Sequence, residues 1–114
     1  MAIQIDGDSL TLEDFDRVAR LGRRVELAPA ARVKVRRCRR VLEGFLHDDR
    51  PHYGINTGFG ALAQRRIEKK DLKRLQRNLI RSHTAGVGDW LPADVSRGVM
   101  LLRANVLAKG YSGV

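Results

Sequence analysis

Ile3 and Ile5 alternate with the polar Gln4 and Asp6 at the start of the chain, the period of a half-buried strand, and Asp6-Gly7 is a turn signal after it. From Thr11 the period changes. Leu12, Phe15, Val18 and Ala19 recur at helical spacing. Thr11 is a good N-cap with Asp14 three residues on, and Gly22 is placed to end the helix in the left-handed conformation. A second helix is expected to open at Pro29, suited to a first turn, and to run through Val33, Cys38, Val41, Leu42 and Phe45 to about His47. A third spans about Glu68 to His83. At about 100° per residue its Leu79, Gln76 and His83 lie within about 40° of Leu72, so His83 is expected to point where the leucines point. Pro92 starts a fourth helix with a stripe of Val95, Val99, Leu102 and Val106, closed by Gly110. The pattern predicts a mainly α chain: a short strand followed by about four helices.

Between the second and third helices the periodicity stops. Residues 47–67 read as a long loop, with Pro51, Gly54, Gly58 and Gly60 set against helix and strand alike. Long loops inside compact domains are usually functional or disordered. Tyr53, Ile55 and Phe59 are too apolar for a solvated linker, which favours function. The fourth helix adds Met100, Leu101 and Leu107 beside its stripe and is apolar around much of its circumference, which calls for cover on more than one side. The 114 residues fit one small domain and read as the opening segment of something larger.

Composition and charge narrow the classes. No apolar run exceeds the four residues Val99–Leu102, far short of the ~20 of a membrane-spanning helix, and the N-terminus has neither the basic nor the apolar region of a signal peptide. The single Cys38 has no disulfide partner and no Cys-x-x-Cys mate. A cytoplasmic protein is expected. The net charge of +9 comes mainly from 17 Arg, densest over Arg32–Arg40. On a helix Arg32, Arg36, Arg39 and Arg40 share one side, opposite Cys38, Val41, Leu42 and Phe45. No aromatic residue is interleaved with them for base stacking. The arrangement reads as a solvated face, or one set against an acidic partner subunit, and not as a nucleic-acid surface.

Three constellations carry candidate chemistry. Gly54-x3-Gly58-x-Gly60 is neither a P-loop nor a dinucleotide fingerprint, because the required lysine and third glycine are missing. His47, Asp48, Asp49 and His52 are metal-ligand types, yet they match no zinc spacing and also read as surface charge; no metal is expected. Tyr53 in the loop suits a general base or acid, provided that donors bring its phenol down from an ordinary pKa of about 10. His83 suits reception of a polar ring or a carboxylate. Both residues also have structural readings: Tyr53 as packing, His83 as a core histidine or helix C-cap.

The stretch Tyr53-Gly54-Ile55-Asn56-Thr57-Gly58-Phe59-Gly60 resembles the hallmark loop of the aromatic amino acid ammonia-lyases. The resemblance continues through Leu75-Gln76-Arg77-Asn78-Leu79, Ser82-His83, Gly86-Val87-Gly88, Leu102-Arg103-Ala104-Asn105 and Gly110-Tyr111-Ser112-Gly113-Val114, and so covers essentially the whole chain. It implies the N-terminal part of a larger all-helical lyase fold, tetrameric in the family. Ser82-His83 looks like the pair of the histidine-type enzymes, which eliminate ammonia from L-histidine to give urocanate in histidine degradation. The resemblance assigns Tyr53 to proton removal from the substrate's β-carbon, and His83, with Ser82 and Gly60, to substrate binding. Gly54, Asn56, Thr57, Gly58 and Phe59 complete the active-site loop.

The family's chemistry also rests on an electrophile, 4-methylideneimidazole-5-one (MIO), made from an internal Ala-Ser-Gly that lies further along in family members. This chain lacks the tripeptide; Tyr111-Ser112-Gly113 has the wrong first residue. Residues 1–114 are therefore expected to be inactive alone and to contribute Tyr53 and His83 to a site completed by further chain and neighbouring subunits. The alternatives are a non-catalytic binding or assembly module, or a tyrosine or phenylalanine ammonia-lyase or aminomutase of the same family.

Overall fold

The computed structural model describes residues 1–114, which form two compact units, Met1–Arg40 with Asp89–Val114 and Val41–Gly88. The elements in order are strand β1 (Ile3–Ile5), helix α1 (Leu12–Ala19), strand β2 (Val25–Leu27), helix α2 (Pro29–Phe45), helix α3 (Lys69–His83) and helix α4 (Ala93–Ala108), with a 3₁₀ turn at Gly60–Leu62 before α3. The unit boundary falls within α2.

The first unit is built as its signals require. Thr11 accepts the Asp14 N–H at 3.1 Å, satisfying one of α1's orphan donors, and Gly22 adopts φ +66 just beyond the helix. β1 has a partner that the hydrophobic pattern did not announce: β2 pairs with it in parallel, Ile3 opposite Val25 and Ile5 opposite Leu27. Ile5, Val18 and Leu101 form the core, with Ile3, Leu10, Phe15, Val25 and Leu27 against it.

The face that α4 turns to this core corrects the hydrophobic reading. Val95, Val99, Leu102 and Val106 are all exposed, and Gly98, Leu101 and Ala108 are buried instead. Close approach explains the choice. A Cβ at Gly98 would lie 2.8 Å from the Phe15 ring, so the missing side chain is what lets α1 reach α4. Asn105, half-buried on the same side, accepts the Gly7 N–H at 2.9 Å. Leu12, expected in α1's stripe, is exposed, and so are Val33 and Val41 of α2. Arg32, Arg36, Arg39 and Arg40 are also exposed, and Arg39 reaches the Gly113 carbonyl at 3.3 Å.

In the second unit α2 ends at Phe45, two residues short of expectation, and α3 begins after Glu68, its N-cap. No helix is long and apolar enough to cross a membrane.

Candidate active site

Every candidate residue of the loop and of α3 lies in the second unit. The loop holds itself through polar side chains turned inward. Asn56, 3% exposed, accepts the His52 N–H at 2.7 Å through Oδ1 and donates Nδ2–H to the Arg50 carbonyl at 2.9 Å. Its own carbonyl accepts the Ile67 N–H at 2.8 Å, tying the middle of the loop to its C-terminal end. Thr57 is fully buried. Its hydroxyl accepts the Gly54 N–H at 3.2 Å and donates to the Gly58 carbonyl at 3.0 Å. A further backbone bond joins the Gly58 N–H to the Arg65 carbonyl. These bonds supply partners for backbone groups that a glycine-rich segment cannot place in helix or sheet.

Two glycines are demanded by this geometry. Gly54 sits at φ +72, which an L side chain adopts at a cost. At Gly58 a Cβ would meet the Leu62 Cβ at 2.7 Å and the Leu62 carbonyl oxygen at 3.0 Å, so the 3₁₀ turn packs where a side chain would stand.

Tyr53 is carried on the outside of this frame. It is 65% exposed, and its ring meets Phe59 edge-on at 5.7 Å between centroids. The loop therefore buries its asparagine and threonine and presents its tyrosine, the reverse of ordinary burial preference. Gln76, on α3, donates Nε2–H to the Gly54 carbonyl at 3.0 Å and so anchors the residue next to Tyr53. The sequence placed Gln76 on the Leu72 face of α3 but gave no sign of this role, because its partner is 22 residues away.

His83 does not join the apolar packing expected of it. Burial along α3 fades from Leu72, which is buried, through half-buried Leu75 and Leu79 to an exposed last turn. His83 is instead bound locally: its Nδ1 lies 2.9 Å from both the Leu79 carbonyl and Ser82 Oγ, and Ser82 donates to the same carbonyl at 2.8 Å. A ring nitrogen facing a carbonyl oxygen must carry the proton. In the neutral ring Nε2 is then the acceptor, held at the exposed end of the helix by Ser82 and Leu79.

The four metal-type residues do not converge. His52 Nε2 pairs with Asp48 Oδ2 at 3.1 Å and its ring stacks on Phe45 at 4.4 Å, whereas Asp49 pairs with Arg66 and His47 with Lys69. The Arg50 N–H, and then His52, hold the Asp48 carboxyl below the usual carboxylate value. No group of three or more His, Cys, Asp or Glu is arranged to hold a metal ion.

The loop and helix pair place the chain in a known class. Residues 10–114 match the family model of the aromatic amino acid lyases, and the chain belongs to that family. Its curated relatives include the histidine ammonia-lyase of Stigmatella aurantiaca, 57% identical over 112 residues, which are 98% of this chain and 22% of that protein. The histidine ammonia-lyase of Anaeromyxobacter sp. (strain K) is 57% identical over 96% of this chain and 22% of its own length. Among solved structures, tyrosine aminomutase from Streptomyces globisporus superposes with a TM-score of 0.91 at 36% identity, over 100% of this chain and 22% of its own. Histidine ammonia-lyase from Trypanosoma cruzi gives 0.88 at 36% identity, over 100% and 22% respectively. The chain thus spans about a fifth of the length of the relatives it matches.

Proposed function

We propose that this chain acts as the N-terminal part of a histidine ammonia-lyase, in which Tyr53 removes a β-proton from L-histidine as ammonia leaves the α-carbon, giving urocanate. The observation that carries the reading is the inverted burial of the loop. Asn56 and Thr57 are spent on holding the backbone, and the one proton-transfer group among them, the Tyr53 phenol, faces outward where a ligand can reach it. The proton goes to Oη of Tyr53, which must start as the phenolate; the electron pair of the broken C–H bond becomes the new Cα–Cβ π bond, and the C–N pair leaves with the nitrogen as ammonia.

The electrophile that makes the amine a leaving group in this family does not fit the residues present. No Ala-Ser-Gly occurs, Tyr111 replaces the alanine in the nearest tripeptide, and the carbonyl of its buried Gly113 is engaged by Arg39. In this reading the group comes from further lyase polypeptide, in a homotetramer where subunits complete one another's sites, in the cytoplasm.

Within this reading Ser82-His83 favours histidine as substrate. The Nε2 lone pair, fixed outward by the contacts of Nδ1, is an acceptor matched to the N–H of a substrate imidazole. The relatives at 57% identity, both histidine ammonia-lyases, support the same reading. The test offers L-histidine, L-tyrosine and L-phenylalanine to the full-length protein. Urocanate formation with the highest kcat/KM for histidine is expected. Preference for tyrosine, or β-amino acid products, would overturn the assignment.

A further inference from the structure

Tyr53 is presented by the loop, but the loop is gauged against α3 at one place. Gln76 donates its amide N–H to the Gly54 carbonyl at 3.0 Å, and Thr57 accepts the Gly54 N–H at 3.2 Å, so both polar groups of Gly54 are held from outside it. Gly54 is at φ +72, a conformation with a wide range of neighbouring states for glycine, and it directly follows Tyr53. Without the two bonds the peptide planes flanking Gly54 would be free to rotate, and the phenol would swing with them.

The partner on the helix is not placed at random. Gln76 precedes His83 by seven residues, so the two share one face about two turns, or roughly 10 Å, apart along the axis. A single rigid helix therefore carries the anchor of the tyrosine turn and, two turns on, the Ser82-His83 pair.

We propose that Gln76 is a positioning residue for the elimination: its bond to the Gly54 carbonyl fixes the Tyr53 turn against the helix face that carries His83, and so sets the base in register with a substrate held at that pair. The inference rests on the function proposed above and extends it to a residue that touches no reacting atom. Misplacing a base by about 1 Å can cost about a hundredfold in rate even when binding is preserved.

The experiment uses the full-length protein with Gln76→Met, which keeps the side chain's length and aliphatic stem but not its donor, Gln76→Lys, which keeps a donor of similar reach, and Tyr53→Phe in parallel. Gln76 is exposed, so neither change at this position disturbs a packed core. Expected for Gln76→Met is a kcat lower by about ten- to a hundredfold, a KM for L-histidine within about twofold, and a larger isotope effect with β-deuterated L-histidine, because proton transfer becomes slower relative to the other steps. Gln76→Lys should recover most of the turnover. Wild-type kcat in Gln76→Met, an unchanged isotope effect, or a loss that Gln76→Lys does not restore would overturn the proposal. The parallel variant separates the two readings. If Tyr53→Phe abolishes turnover and Gln76→Met leaves it intact, only the role of Gln76 fails; if Tyr53→Phe keeps normal turnover, the base assignment fails and the positioning role with it.

Discussion

Replacing Thr57 by valine removes one hydroxyl and preserves the side chain's shape, which makes it a clean probe of how the loop is held. Thr57 is fully buried and its hydroxyl serves two backbone groups, the Gly54 N–H at 3.2 Å and the Gly58 carbonyl at 3.0 Å. Leaving a buried donor or acceptor unpaired costs about 1–3 kcal/mol, so losing both bonds should lower the loop's opening free energy by about 2–3 kcal/mol. At about 1.4 kcal/mol per tenfold, that is a rise of about 30- to 150-fold in the rate of amide exchange through loop opening. The readout is hydrogen exchange at the Gly58 and Ile67 amides, which bond to the Arg65 and Asn56 carbonyls and not to the substituted group. Thr57→Ser is the control. It keeps the hydroxyl and loses one methyl, at about 1 kcal/mol, so its acceleration should be about fivefold. Unchanged protection in Thr57→Val, or a greater loss in the serine variant than in the valine one, would refute the view that polar groups hold this loop.

Other outcomes follow from the same structure. Gly98→Ala places a methyl 2.8 Å from the Phe15 ring and should destabilise the first unit by about 1–3 kcal/mol, read as a lowered thermal midpoint, whereas Val99→Ala on the exposed side of α4 should cost far less. His83→Leu removes the Nε2 acceptor and should reduce the preference of the full-length protein for histidine over tyrosine, measured as a ratio of kcat/KM values; an unchanged ratio would remove His83 from the specificity account. The Asp8 and Ser9 N–H groups hold the Asp6 carboxyl at about 2, below its ordinary value. A depressed carboxyl adds stability above its unfolded value, and that stability is lost as pH falls through the folded one. Unfolding monitored from pH 5 to pH 2 should therefore show part of its acid sensitivity between about 4 and 2, and Asp6→Asn should remove that part.

The helices were legible because their ends carry chemistry as well as pattern. Thr11 caps α1, Pro29 opens α2, Pro92 caps α4, and the glycines that follow α1 and α4 adopt positive φ. What escaped hydropathy was the choice of face. α4 is apolar on two sides, and it packs through Gly98, Leu101 and Ala108 because small residues permit close approach, a property that a hydrophobicity pattern does not encode. Strand β2 was missed although Val25-Glu26-Leu27 alternates as Ile3-Gln4-Ile5 does, because its pairing is with residues distant in sequence that no local pattern names. In the loop, the glycine spacing and the apolar Tyr53 and Phe59 marked a segment that is neither helix nor solvated linker. The residues that organise it are polar, however, and Asn56, Thr57 and Gln76 act through backbone partners that only the folded chain brings near. His83 was placed by period on the leucine face, where it does lie; its exposure reflects packing that thins toward the end of α3.

The central claim is that Tyr53 is the base of an ammonia elimination, and the most direct measurement is urocanate production from L-histidine by full-length Tyr53→Phe against wild type. The ring and its edge contact with Phe59 are retained and only the exposed hydroxyl is lost, so the fold should be unchanged by circular dichroism. The account predicts a fall in kcat of about a hundredfold to ten-thousandfold, the range that a positioned proton-transfer group supplies. Turnover within a few-fold of wild type would contradict it.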